Sequence, residues 1–261
     1  CIGRTYAIYL VIDIAIFSLQ CSLFLSDPKS QSLVEESHCC NMTDQPITYS
    51  GLAAFPKTAA GAIQLYDSWA NSYDETLKSW KYPAPQRVAE ILSDYYPQRD
   101  MHTKVLDMGC GTGLSGEALR GYNFTNLSGI DISQVSLDLI KNSKPGLYTE
   151  LKQGSLDESL HFESSSFSAV ISVGVFSYVE NFTTLFTEVV RICKSEGVVV
   201  FTHRTQLWDD DFRGCRSAAE FLEIQGKWRS VYIGEPEEYM PQNPDPAESI
   251  KTIRIIVYRC L

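Results

Sequence analysis

Apolar positions recur every three or four residues from Ala59 to Leu77, where Ile63, Tyr66, Ala70, Tyr73 and Leu77 share one face, and this period predicts an amphipathic helix. A second helix is predicted after Pro83 and Pro85, with Val88, Ile91, Leu92 and Tyr95 on one side and Pro97 closing it. From residue 104 the pattern changes to short apolar runs alternating with helical stretches. Lys104 to Met108, Leu127 to Asp131, Tyr148 to Gln153, Phe167 to Val173 and Gly197 to Thr202 read as strands. Between them, Leu114 to Arg120 reads as a helix, Ser133 as the N-cap of a helix running to about Lys141, and Phe182, Leu185, Phe186, Val189, Val190 and Cys193 as a helical stripe. Such alternation builds β-α-β units. The expected fold is therefore α/β and doubly wound, a mostly parallel seven-stranded sheet with helices on both faces, Rossmann-like in layout. The tail departs from it. Ser217 to Gln225 reads as a helix, followed by strands at Trp228 to Ile233 and Thr252 to Tyr258 with no clear helix between them, so an antiparallel C-terminal edge is expected.

Upstream, Ser26 to Lys57 is rich in Ser, Asp, Pro and Gln and reads as a linker. Ala7 to Phe24 is almost entirely apolar and about long enough to span a bilayer. Asp13 interrupts it, and an acid near the middle costs about 2.5 to 3.5 kcal/mol of insertion free energy. The domain reading is thus an N-terminal apolar segment and linker at 1–45, outside the fold, and a folded domain at 46–261 with a helical cap at about 59–97. A membrane association is expected only if Ala7 to Phe24 is a genuine anchor. The chain also carries eight scattered cysteines with no paired metal spacing, read mostly as free thiols of a reducing, cytoplasmic compartment, while four Asn-x-Ser/Thr sequons matter only for a secreted chain.

Charge narrows the partners. With 22 Lys+Arg against 32 Asp+Glu the net charge is -10, which disfavours nucleic acid, because affinity for the phosphate backbone comes from basic side chains. The chemistry concentrates in Val105-Leu106-Asp107-Met108-Gly109-Cys110-Gly111-Thr112-Gly113, a strand feeding a glycine loop that opens a helix. Glycines let that backbone turn tightly and approach a ligand, with free N–H groups at the helix start pointing toward it. Asp131 ends the second strand, where an acid can accept hydrogen bonds from both ribose hydroxyls. A dinucleotide loop has Gly-x-Gly-x-x-Gly, but here the sixth position is Leu114, and Asp107 adds a negative charge that a pyrophosphate would avoid. S-adenosylmethionine, with no phosphate and a cationic end, suits the loop better.

At these residues the chain resembles the class I S-adenosylmethionine-dependent methyltransferases, whose first motif is Asp/Glu-x-Gly-x-Gly-x-Gly. Tyr66-Asp67-Ser68-Trp69-Ala70-Asn71-Ser72-Tyr73-Asp74 is similar to the Tyr-Asp-x-Trp-Ala-x-x-Tyr-Asp helix of methyltransferases like the Williams-Beuren syndrome region methyltransferase-like protein. The resemblance covers most of Gln64 to Thr202. It implies S-adenosyl-L-methionine as cofactor and methyl transfer as the activity. It further implies cofactor contacts from Asp107, Gly109, Cys110, Gly111, Gly113, Asp131, Ile132 and Leu156, with Tyr66 and Tyr73 on a helix that covers the site. By spacing alone those tyrosines, with Trp69, read more readily as core than as a lid. Where many relatives have Gly-Asp after the third strand, this chain has Gly154-Ser155, leaving Leu156 to pack on adenine and Asp157 as a candidate acceptor.

Other positions carry weaker signals. His203 and Arg204 follow a strand at the carboxyl edge, where open α/β sheets place their sites, or they are a solvated edge. Asp209-Asp210-Asp211 reads as a solvated acidic turn and not a metal site. Ser172-Val173-Gly174-Val175-Phe176 lacks the Asn-Pro-Pro-Tyr of amino-directed nucleic-acid methyltransferases, which with the charge points to a small-molecule or protein acceptor. No residue is assigned as catalytic base, and oligomeric state is left open. The alternatives are a non-catalytic protein that binds S-adenosylmethionine and an NAD-dependent oxidoreductase.

Overall fold

A computed structural model describes residues 59–261, all of them within the unit Thr48–Leu261. The apolar stretch Ala7 to Phe24, the linker and the boundary at residues 45 and 46 lie outside the described residues. Among the described residues no helix is long and apolar enough to cross a membrane.

Two helices, α1 (Ala59–Ser79) and α2 (Ala84–Tyr95), precede β1 (Lys104–Met108), α3 (Leu114–Gly121), β2 (Asn126–Asp131), α4 (Gln134–Ser143), β3 (Glu150–Gln153), β4 (Phe167–Ser172), α5 (Phe182–Ile192) and β5 (Cys193–Arg204). The chain closes with α6 (Thr205–Asp209), α7 (Cys215–Ile224), β6 (Trp228–Ile233), β7 (Glu237–Glu238), α8 (Pro246–Ser249) and β8 (Thr252–Cys260). The sheet order is β3-β2-β1-β4-β5-β8-β6, with β7 added beside β8. The strands from β3 to β5 pair in parallel, while β8 runs antiparallel to both β5 and β6. The antiparallel C-terminal strand therefore sits one place inside the edge, and β6 takes the edge itself.

Alternation along each strand sends neighbouring side chains to opposite faces. Val105, Ala169, Ile171, Val198, Val200, Ile253 and Ile255 face a layer formed by α2, α3 and α4, through Val88, Leu92, Leu119, Leu137 and Ile140. Leu106, Met108, Val170, Val199, Phe201, Ile256 and Tyr258 face α5 and α7, through Leu185, Phe186, Val189 and Leu222. Every residue of β4 is buried, as a strand covered on both faces requires. Ser133 caps α4 as expected, its side chain accepting from the Ser136 N–H at 3.1 Å.

One packing detail anticipates the site. Gly116 of α3 lies against the Tyr148 hydroxyl, into which a Cβ would clash, and that hydroxyl donates to Asp107 Oδ2 at 2.6 Å. Gly121, on the same helix, faces open space. Alanine normally favours a helix over glycine by up to about 1 kcal/mol, so Gly121→Ala should raise stability in urea denaturation. Gly116→Ala should lower it by about 1 to 3 kcal/mol through overpacking. Equal effects at the two positions would contradict this contact.

Candidate active site

The site lies at the carboxyl ends of the parallel strands. After β1 the chain turns sharply. The N–H groups of Gly109 and Cys110 both donate to the Ile130 carbonyl, at 2.7 and 3.1 Å, tying the loop to β2. Gly109, Gly111 and Gly113 have φ of +72°, +50° and +94°, a region that L side chains rarely adopt. A Cβ on Gly109 would also run into the Val175 side chain.

Asp131, at the end of β2, is fixed at both oxygens. Gly111 N–H donates to Oδ2 at 2.7 Å and Ser133 N–H to Oδ1 at 2.8 Å. Burial raises its carboxyl above the ordinary range, the nearby charge of Asp67 adds to that rise, and the backbone N–H groups oppose both. Each carboxylate oxygen has two lone pairs, so both retain an acceptor position. Beyond Asp131 opens a cavity of about 860 Å³ counting its mouth. Its walls are the loop at Gly109, Gly111 and Thr112, then Ile132 and Ser136, the turn Gly154-Ser155-Leu156-Asp157 after β3, and the segment after β4 at Val173, Gly174, Val175, Tyr178 and Val179. Ala70 and Tyr73 of α1 complete it. Asp157 joins two walls, because its Oδ1 accepts from the N–H groups of Glu180 and Asn181 at 2.8 and 2.9 Å.

Of the residues expected at the site, Gly109, Gly111, Asp131, Ile132, Leu156 and Tyr73 line the cavity. Tyr66 has its side chain outside the described residues. Tyr73 stacks edge-on against Trp69, with ring centroids 4.7 Å apart, and Trp69 itself is buried with Leu77, Trp80 and Met240. Within this helix, then, Trp69 is core and Tyr73 faces the site.

Three of the expected residues stand outside the cavity lining. Asp107 does not line the cavity. It shares the parity of Val105 along β1, points into the layer under α3 and is fully buried, with Tyr148 on Oδ2 and no partner on Oδ1. Burial pushes its carboxyl up to about 7, the Tyr148 hydrogen bond opposing and the charge of Asp131 adding to the rise. Cys110 likewise turns into the core, where Gly129 leaves room for its sulfur, and burial with the charges of Asp107 and Asp131 pushes its thiol far above the ordinary range. Gly113 acts as the N-cap of α3 and packs toward Leu147.

His203 and Arg204 also lie off the cavity. Strand β5 continues through both, pairing His203 with Arg254. His203 is buried beside Phe176 and Phe182, and neither ring nitrogen has a hydrogen-bond partner. Burial, helped by Arg204, drops its imidazole to about 4. The Arg204 guanidinium lies 3.4 Å from Glu248 and over the Tyr239 ring. In the acidic turn, Asp209 pairs with Arg254 at 2.9 Å.

The lining suits a nucleoside without phosphates. Among the described residues it holds the carboxylates of Asp131 and Asp157 and not one Lys or Arg, whereas a pyrophosphate calls for cationic or N–H donors free of carboxylate neighbours. The residues missed by sequence reasoning are mostly those after β4, and the signal for them was the carboxyl-edge position of Val173 to Phe176.

Comparison with known proteins agrees with this chemistry. A family model described as a methyltransferase domain matches residues 106–201. The human methyltransferase-like protein 27 is 30% identical over 174 residues, covering 66% of this chain and 70% of that protein. Other curated relatives are matched over 21% to 51% of their length. Among solved structures, the geranyl diphosphate C-methyltransferase of Streptomyces coelicolor, crystallised with S-adenosyl-L-homocysteine, superposes with a TM-score of 0.50 at 14% identity over 66% of this chain and 76% of its own. The [4+2]-cyclase SpnF gives 0.57 at 18% identity over 78% of this chain and 96% of its own. These two likenesses concern the fold.

Proposed function

The chain belongs to the class I S-adenosylmethionine-dependent methyltransferases, the family it shares with methyltransferase-like protein 27, and on that premise we propose that it methylates a small-molecule or protein acceptor entering past Tyr73 and Tyr178. When bound, S-adenosylmethionine supplies a sulfonium-borne methyl group, which the acceptor's lone pair takes by in-line displacement, leaving S-adenosylhomocysteine. Asp131 would accept the two ribose hydroxyls on the positions that Gly111 and Ser133 leave open. The backbone of Gly109 to Gly113 would hold the methionine end, Leu156 would pack on the adenine, and Asp157 would lie near its edge. The observation carrying this assignment is a carboxylate fixed by two backbone donors in a cavity with no basic side chain among its described lining residues. Holding donor and acceptor in near-attack geometry is worth up to about 7 to 11 kcal/mol.

The net charge of -10 and the absence of Lys and Arg from the described lining residues support an acceptor other than nucleic acid. The compartment we propose is the cytoplasm, supported by Cys110, Cys193, Cys215 and Cys260, which are all free thiols. Incubating the full chain with methyl-labelled S-adenosylmethionine and cytoplasmic extract, then separating small molecules, protein and nucleic acid, tests the reading. Label should enter the small-molecule or protein fraction, and Asp131→Ala should cut the transfer at least about tenfold at sub-saturating S-adenosylmethionine. Label in nucleic acid, or transfer untouched by Asp131→Ala, would overturn the assignment.

A further inference from the structure

Helix α1 carries two acids seven residues apart, Asp67 and Asp74, which fall on one face two turns from each other. Both reach across to the sheet domain. Asp67 Oδ1 accepts from the Ser133 hydroxyl at 2.5 Å. Ser133 is the same residue whose N–H holds Asp131 Oδ1. Asp74 Oδ1 accepts from the Thr112 hydroxyl, and its Oδ2 pairs with Lys144 at 2.7 Å. Thr112 directly follows Gly111, whose N–H holds Asp131 Oδ2. The two backbone donors that orient Asp131 are thus within one residue of the two hydroxyls that the cap helix grips.

We propose that Asp67 and Asp74 are positioning residues for Asp131, so that docking of the cap helix and capture of the cofactor ribose are one coupled event. The inference rests on the ribose role assigned above. Ser133 and Thr112 transmit the coupling. When Asp67 holds the Ser133 hydroxyl, the first turn of α4 and its N–H are fixed against Asp131, and when Asp74 holds Thr112, the glycine loop is fixed at Gly111. Lys144, shared with Glu117 at 2.8 Å, balances the charge that Asp74 brings to the loop. The two carboxylates thereby set the angle at which the open lone pairs of Asp131 meet a ligand. An undocked cap leaves Asp131 in place but less well aimed.

A double-mutant cycle on the full chain separates positioning from simple packing of the helix. Calorimetry with S-adenosylhomocysteine is run on wild type, on Asp67→Ala combined with Asp74→Ala, on Asp131→Ala and on the triple variant. The cap pair should weaken binding about tenfold when Asp131 is present and less than about twofold when it is absent, a strongly non-additive result. Asp67→Asn with Asp74→Asn keeps an oxygen for each hydroxyl and should recover most of the affinity. Equal losses with and without Asp131, or no loss from the cap pair, would overturn the coupling while leaving the ribose assignment intact. Unchanged binding by folded Asp131→Ala alone would overturn the ribose assignment and the coupling with it.

Discussion

Replacing Asp107 by Asn is expected to widen its stability advantage over wild type by about 4 kcal/mol as the pH rises from about 4 to about 7, after which the gap stays constant. The buried Asp107 carboxyl has its pKa raised from 3.8 to about 7. Between those values the folded state keeps a proton that the unfolded state has lost, so the stability associated with this group is full below the unfolded pKa and falls as pH rises through the folded one. Asn cannot titrate, retains an oxygen for the Tyr148 hydroxyl and removes that slope. His203 behaves in the opposite sense. Its imidazole is held at about 4 against an ordinary 6.5, so its contribution is full above the unfolded pKa and is lost as pH falls toward the folded one. His203→Phe, which places a non-titrating ring beside Phe176 and Phe182, should gain about 3 kcal/mol relative to wild type between about pH 6.5 and about pH 4. In the wild type the two slopes nearly cancel over that window, and each variant unmasks the other. Urea denaturation across a pH series checks both. Curves that run parallel to wild type would contradict the deep burial of these two groups.

The second large effect concerns the ligand. Asp131→Ala should weaken S-adenosylhomocysteine at least tenfold, because it removes two hydrogen bonds to a charged acceptor, each worth about 1.5 to 3 kcal/mol. It also frees the N–H groups of Gly111 and Ser133 that the carboxylate now holds. Asp131→Asn should recover little, since an amide presents two donors toward one of those N–H groups. An unchanged dissociation constant in a folded Asp131→Ala protein would remove Asp131 from the ribose.

The strands and helices of the core were legible because burial on two faces leaves continuous apolar runs in β4 and β5, and because Ser133 and the glycine loop mark their turns with local chemistry. The loop and Asp131 were legible for the same reason, as short-range signals. What failed were long-range facts. Motif spacing places Asp107 beside the loop but cannot say which face of β1 it takes, and its burial depends on Tyr148 and Gly116. His203 was misread because the apolar run ends at Thr202 while β5 continues two residues further beside β8. The short β7, Glu237–Glu238, has no apolar period and pairs with β8 through its backbone. Asp67 and Asp74 stood in plain view within the cap motif, yet their partners Ser133, Thr112 and Lys144 lie 38 to 70 residues away.

Calorimetric titration of the full chain with S-adenosylhomocysteine and, separately, with NAD is the most direct test that the cavity is built around Asp131 for a sulfonium donor and its product. Saturable binding of S-adenosylhomocysteine, lost or weakened at least about tenfold in Asp131→Ala, with no heat from NAD, is the expected result. Binding of NAD in place of S-adenosylhomocysteine would contradict it.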